Sequence, residues 1–288
     1  MSFFVKHKKL IIIILSVILM FILGLLYGRF IGTNGLIVKE YKVVNNKLPD
    51  SFNGLKIVHI TDIHYKRTTS KKDLQELVKK INFIKPDIVV LTGDLFDRDR
   101  NLDNNQKDEL MFELKKIDAT INKYAIKGNH DKDESWEYII TEAGFINLNN
   151  TYDVIYNDGY EPILIAGMSS ITSSDKVKNK IKKINKYKEE YNEENLKYKI
   201  LLTHQTDYIK DFDFNEYSLI LGGHSHGGQV IFPIIGPVVL PKGSKKYYEA
   251  HYKLNDTDLF ISSGIGTSNI NLRLFNKPSF NFYRLYNK

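Results

Sequence analysis

A chain of 288 residues can form one large domain or two small ones, and its 42% hydrophobic and 12% aromatic content is enough to build a sizeable core. The absence of cysteine excludes disulfides, thiol catalysis and Cys-ligated zinc, so any metal must be held by His, Asp, Glu or Asn. The formal charge of +7 sits largely at the start. Of the 41 basic residues, Lys6, Lys8, Lys9 and Arg29 fall in the first 35 positions, which hold no acid, and the rest of the chain carries only +3. That excess is too small to mark a nucleic-acid surface, and no nucleic-acid partner is expected.

Leu10–Tyr27 (LIIIILSVILMFILGLLY) is a run of 18 residues without a charge. As a helix it reaches about 27 Å, close to the hydrocarbon thickness of a bilayer. Lysines precede it and only Arg29 follows closely, so the positive-inside bias puts the N-terminus in the cytoplasm. A cleaved signal peptide is the competing reading. Its apolar region is usually shorter, and Gly28-Arg-Phe-Ile-Gly-Thr offers no A-x-A-like cleavage site. A buried core helix is the third. The expected division is a basic cytoplasmic tail (1–9), a transmembrane signal anchor (10–28), a linker (29–50) and one monomeric, extracytoplasmic domain (51–288).

Beyond the anchor, strand-like runs alternate with amphipathic helical ones, the pattern of an α/β layered domain. Lys56–Thr61 (KIVHIT) predicts a strand and Lys71–Phe83 a helix. Asp87–Thr92 (DIVVLT) predicts a buried strand and Lys107–Lys116 a helix. Tyr124–Lys127, Ile163–Met168, Lys199–Thr203 and Ser218–Leu221 continue the strand series. The charged stretch Asp175–Leu196 reads as a solvated amphipathic helix, and the Val-, Ile-, Tyr- and Phe-rich segment after Val230 as closing strands.

The strand ends carry the chemistry. KIVHIT runs into Asp62-Ile-His64, DIVVLT into Gly93-Asp94, and YAIK into Gly128-Asn129-His130-Asp131. ILLT runs into His204, and SLIL into Gly222-Gly-His224-Ser-His226. In open α/β sheets such side chains converge on one crevice. Residues i and i+2 of an extended chain point the same way, so Asp62 and His64 are expected to serve one site. Five of the eight histidines lie in these motifs. The other three have plain explanations: His7 belongs to the basic flank, His59 lies within a strand, and His251 sits among tyrosines.

The ordered set D-x-H, G-D, G-N-H-D, H, G-H-x-H resembles the calcineurin-like metallophosphoesterase superfamily. Gly222–Gln229 (GGHSHGGQ) is similar to its membrane-associated bacterial branch of YkuE/YaeI type, as is the tail from Leu240-Pro-Lys-Gly to Arg273-Leu-Phe-Asn-Lys-Pro278. The resemblance implies an α/β fold, a two-sheet β-sandwich flanked by helices, here preceded by one transmembrane helix. It implies two divalent metal ions, Mn, Zn or Fe. Asp62, His64 and His226 would take the first, and Asn129, His204 and His224 the second, with Asp94 bridging. His130 would stand near the leaving-group oxygen, oriented by Asp131. Arg98 is a candidate for the substrate phosphate, or a partner of Asp97 or Asp99; Arg273 is a similar candidate. Thr206 departs from the branch, where proline commonly stands. The implied function is a membrane-anchored dimetal phosphoesterase acting on phosphate esters, chiefly diesters of envelope, lipid or nucleotide type, by attack of a metal-bridging hydroxide. The alternative is a catalytically inactive anchored scaffold or binding module of the same fold. The implied partners are the phosphoester substrate and the bilayer.

Overall fold

In the computed structural model, which describes residues 7–97, 101–171 and 173–288, the domain is two six-stranded sheets packed face to face, with helices on both outer surfaces. Ahead of it stands helix α1 (Lys8–Phe30). Its apolar side chains are exposed along its length, and in its most apolar stretch none is buried. A core helix would be covered, so that reading fails, while a signal sequence and an anchor both fit.

The first sheet contains β1 (Ile37–Val44), β14 (Ser279–Tyr286), β2 (Lys56–Ile60), β3 (Ile88–Leu91), β4 (Asn122–Ala125) and β5 (Ile146–Asn147), in that order. β2 through β5 are parallel, β14 is antiparallel to β2, and β1 is parallel to β14. The second sheet runs β12 (His251–Leu254), β13 (Thr257–Ile261), β9 (Leu219–Gly222), β8 (Tyr198–Thr203), β7 (Ile163–Met168) and β6 (Thr151–Ile155). Its four inner strands are parallel and its two edge strands antiparallel to their neighbours. A short hairpin, β10 (Ile231–Phe232) with β11 (Gly236–Pro237), stands apart from both.

Alternation along each strand divides the core. Ile57, Val90, Ile200, Leu221 and Tyr283 face inward and fill the space between the sheets. Val58, Ile60, Val89 and Leu91 face outward and are covered by α2 (Lys71–Ile84), α3 (Asn104–Lys115) and α4 (Ser135–Glu142) through Leu74, Leu77, Leu110 and Trp136. Strands buried on both faces read as unbroken apolar runs, which is why the sequence shows them so plainly. Helices α2 and α3 begin in capping boxes, Ser70 with Asp73 and Asp103 with Gln106.

Two segments differ from expectation. Residues 37–44, expected in a linker, form β1 and pair along their whole length with β14. The charged stretch expected as one helix breaks near Asn185–Lys186 into α5 (Asp175–Ile184) and α6 (Tyr187–Glu190). The break lets Val177, Ile184 and Tyr187 all pack on the outer face of the second sheet.

Candidate metal centre

The carboxyl ends of β2, β3 and β4 in one sheet meet those of β8 and β9 in the other. Their proximity depends on glycine. A Cβ on Gly128 would collide with the backbone and carboxylate of Asp94, and one on Gly93 would collide with Gly128, so these two turns pack backbone to backbone. The expected geometry of an extended D-x-H does not hold. Asp62, His64, Asp94, His224 and His226 all adopt left-handed backbone, with φ of 51°, 46°, 54°, 67° and 49°. Side chains with a Cβ pay of order 1 kcal/mol each for this conformation. Tight turns, not strand alternation, aim them at one another.

Among the described residues Asp62, His64 and His226 each offer an atom within 4.8 Å of the others, and so do Asp94, His204 and His224; a third grouping, His64, Asp94 and His130, joins these two. Asp94 Oδ2 lies 3.2 Å from His204 Nε2, 3.9 Å from His64 Nε2 and 4.0 Å from His130 Nε2. Asn129 Oδ1 lies 3.1 Å from His204 Nε2. The imidazoles are fixed from behind. His204 Nδ1 donates to the Thr92 carbonyl at 2.7 Å and His224 Nε2 to the Lys242 carbonyl at 3.0 Å, which leaves the opposite nitrogen of each ring for the centre. Asp62 Oδ2 accepts from Thr61 Oγ1 and the His224 amide, so its Oδ1 is the oxygen aimed inward.

These donors fit a metal. Asp62 Oδ1 and His64 Nε2 are buried without a hydrogen-bond partner, and His226 Nε2 lies 3.5 Å from that Asp62 Oδ1. Leaving a buried polar atom unsatisfied costs about 1–3 kcal/mol, which coordination would remove. Burial pushes the His226 imidazole down to about 3 and, with the nearby His204, the His224 imidazole down to about 4. Both are therefore neutral at pH 7, the form that coordinates. Burial alone would raise the Asp62 and Asp94 carboxyls, but the surrounding histidines outweigh it and hold both below the usual range. For His204 the Asp94 charge outweighs burial and lifts it to about 9. Imidazole and carboxylate donors together suit manganese, zinc or iron.

The family model for calcineurin-like phosphoesterases matches residues 55–228, more than half of the chain. The chain belongs to the calcineurin-like phosphoesterase family. Among characterised and uncharacterised relatives, this calcineurin-like phosphoesterase is 28% identical to the uncharacterized metallophosphoesterase YkuE of Bacillus subtilis, over 90% of this chain and 88% of that one. It is 31% identical to an uncharacterized metallophosphoesterase of Campylobacter jejuni, over 84% of this chain and 62% of that protein. It is 26% identical to the phosphodiesterase YaeI of Escherichia coli, over 80% and 81%.

The remaining site candidates of this calcineurin-like phosphoesterase fall differently from expectation. Asp131 does not reach the His130 ring: its carboxylate accepts from the amides of Asp94, Phe96 and Gly128 and so pins two of the ligand turns together. Burial and the Asp94 charge push it up to about 6. The carboxylate beside His130 is Asp97, whose Oδ2 lies 3.8 Å from His130 Nδ1 and 3.2 Å from His64 Nδ1 while Arg67 holds its Oδ1 at 2.8 Å. Its spacing of three from Asp94 was visible in the sequence, but nothing there distinguished it from a partner for a neighbouring arginine. Arg98 lies outside the described residues. Arg273 is fully buried, and its guanidinium donates to the carbonyls of Ser263, Gly264, Gly266 and Asn276. It braces the loop behind Asp62 and is committed to backbone, not poised for a phosphate. His59, also buried, sits between Thr92 Oγ1 and the Tyr283 hydroxyl, away from the centre. Thr206 is fitted to its place: its hydroxyl donates to the Tyr247 carbonyl, and its methyl occupies the space beside Gly222.

Proposed function

We propose that this protein is a membrane-anchored phosphoesterase that holds two divalent cations and hydrolyses phosphate diesters outside the cytoplasm. The observation that supports this most directly is Asp94, a single buried carboxylate that faces His64 and His204, one from each histidine grouping. In this reading Asp62, His64 and His226 hold one cation, Asn129, His204 and His224 hold the other, and Asp94 contributes to both. Cations held there would supply a lowered pKa for a water attacking phosphorus and positive charge for the phosphoryl oxygens.

The chain's own groups do the rest. His130 is the partly exposed histidine of the cluster, with its ring between Asp94 and Asp97. From that position His130 would deliver a proton to the departing alkoxide, a contribution of roughly 10²–10⁴-fold. Asp131 keeps the turns carrying Asp94 and Asn129 in register. The diester preference is supported by the likeness to YaeI, named a phosphodiesterase. An uncleaved α1 with a cytoplasmic N-terminus is supported by Lys8 and Lys9 ahead of the apolar run.

Turnover of bis-p-nitrophenyl phosphate by the purified chain with added Mn²⁺ or Zn²⁺ tests the reading. Activity is expected with the parent chain and none with Asp94→Asn. A chain that hydrolyses neither this diester nor p-nitrophenyl phosphate would be the inactive scaffold instead. A C-terminal reporter active only in the cytoplasm would reverse the topology.

A further inference from the structure

The junction between α1 and the domain is a packed contact, not a loose tether. The Arg273 amide donates to the Gly28 carbonyl at 3.0 Å. Gly28 and Gly32 are both buried, because a Cβ on either would collide with Leu272 or with the Arg273 carbonyl. Small residues spaced by four let a helix backbone approach this closely. The helix therefore leaves the domain at a fixed place, the loop 270–275.

That loop and the adjoining hairpin are apolar where they meet solvent. Ile270 and Phe275 are exposed on the loop, and Phe30 and Ile31 at the helix end. On the hairpin, Ile234, Ile235, Val238 and Val239 are exposed, with Ile234 wholly so. Ile234 also has φ of 75°, a left-handed conformation that a turn in water fills with Gly or Asn. A β-branched apolar residue at that tip is both strained and exposed. Hairpin, loop and helix end form one hydrogen-bonded surface: the Ile231 amide donates to the Leu274 carbonyl, and the Leu274 amide to the Gln229 carbonyl. Exposed Lys242, Lys245, Lys246 and Lys277 flank it in sequence. Apolar tips bordered by lysine suit the boundary between acyl chains and anionic headgroups.

We propose that the hairpin 231–239 and the loop 270–275 form a second membrane contact, which seats the metal centre against the leaflet from which α1 emerges. The occupant is the lipid bilayer, because a bilayer that surrounds the end of α1 must also meet the loop packed on Gly28. The inference rests on α1 being an anchor. It extends that reading from a chain that is merely tethered to one whose site is held at headgroup level. His226 stands three residues before Gln229, and the Gln229 side chain bonds both the Ile270 carbonyl and the Ser268 amide, so the centre and the membrane surface share one rigid segment. A phosphoester carried on a lipid headgroup can then reach the centre without leaving the bilayer.

The lack of cysteine makes the test clean. Single-cysteine variants of the full chain, Leu19→Cys, Ile235→Cys, Val239→Cys and Phe83→Cys, are labelled with bimane. Each is reconstituted into vesicles of phosphatidylglycerol and phosphatidylethanolamine with brominated acyl chains. Labels at 19, 235 and 239 are expected to be quenched, and the label at 83, on exposed helix α2, is not. Unchanged hydrolysis of bis-p-nitrophenyl phosphate by the hairpin variants reports an intact fold. Quenching at 19 without quenching at 235 or 239 overturns the second contact and leaves the anchor standing. Absence of quenching at all four positions overturns both. A disulfide linking two copies through 235, without quenching there, shows that a second copy covers the hairpin and overturns the inference as well.

Discussion

His59 offers a measurement in which burial, charge and stability are tied together by one side chain. Its ring is buried, with Nε2 2.8 Å from Thr92 Oγ1 and Nδ1 3.2 Å from the Tyr283 hydroxyl. Burial pushes its pKa down to about 3, with only a partial offset from Asp62. Below pH 6.5 the unfolded chain therefore takes up a proton that the folded chain refuses. The stabilisation is fully present above pH 6.5 and is lost as pH falls toward 3, with a slope approaching ~1.4 kcal/mol per pH unit. Between pH 7 and pH 5 this amounts to about 2 kcal/mol. Replacing His59→Gln keeps a hydrogen-bonding group but removes the titration. Urea unfolding of the metal-stripped chain in detergent, followed by the fluorescence of buried Trp136, the sole tryptophan, gives both stabilities. The parent chain should lose about 2 kcal/mol more than the variant over that interval. Equal losses would refute a neutral, desolvated His59. The variant should also keep its metal content, because the ring lies outside the cluster.

Gly128→Ala should abolish metal binding measured by elemental analysis while far-ultraviolet dichroism stays unchanged, since the new methyl collides with the Asp94 amide and carboxylate at the turn and meets no side chain of the core. Arg273→Lys should lower the unfolding free energy by at least about 2 kcal/mol, because one ammonium cannot satisfy the carbonyls that the guanidinium now holds. Denaturant unfolding tests this, and an unchanged midpoint would show the brace to be dispensable. Tyr124→Phe removes a 2.7 Å hydrogen bond to Asp153 that joins the two sheets, with an expected loss of about 1.5 kcal/mol in the same assay and no change in turnover.

The sequence was most legible where strands are buried on both sides. β2, β3, β8 and β9 are short, mainly apolar and almost wholly buried, and each is followed within two residues by an Asp or His, except β3, which Asp94 follows after three. Asp62, His64, Asp94, Asn129, His130, His204, His224 and His226 consequently stand together in the fold as their order suggested. β1 was not legible. Its two lysines and its glutamate look like linker, and its partner β14 lies more than 230 residues further along the sequence. Helix α4 was missed because it is short and starts without a side-chain cap. Burial explains the remaining differences. An arginine in a Gly- and Asn-rich tail reads as available for a phosphate, and only the packed loop shows that Arg273 is already committed. Likewise, which of Asp97 and Asp131 approaches His130 depends on turns whose left-handed backbone no local pattern announces.

The place of β14 in the first sheet has a consequence for biosynthesis. It inserts between β1 and β2, so the sheet that carries Asp62 and Asp94 stays divided until residues 279–286 have been made. Until then β1, which follows α1 directly, is without its neighbour in the sheet, and β2 waits with an open edge. A chain cut short before Ser279 would retain every proposed metal ligand while lacking the strand that joins β1 to the rest of the sheet.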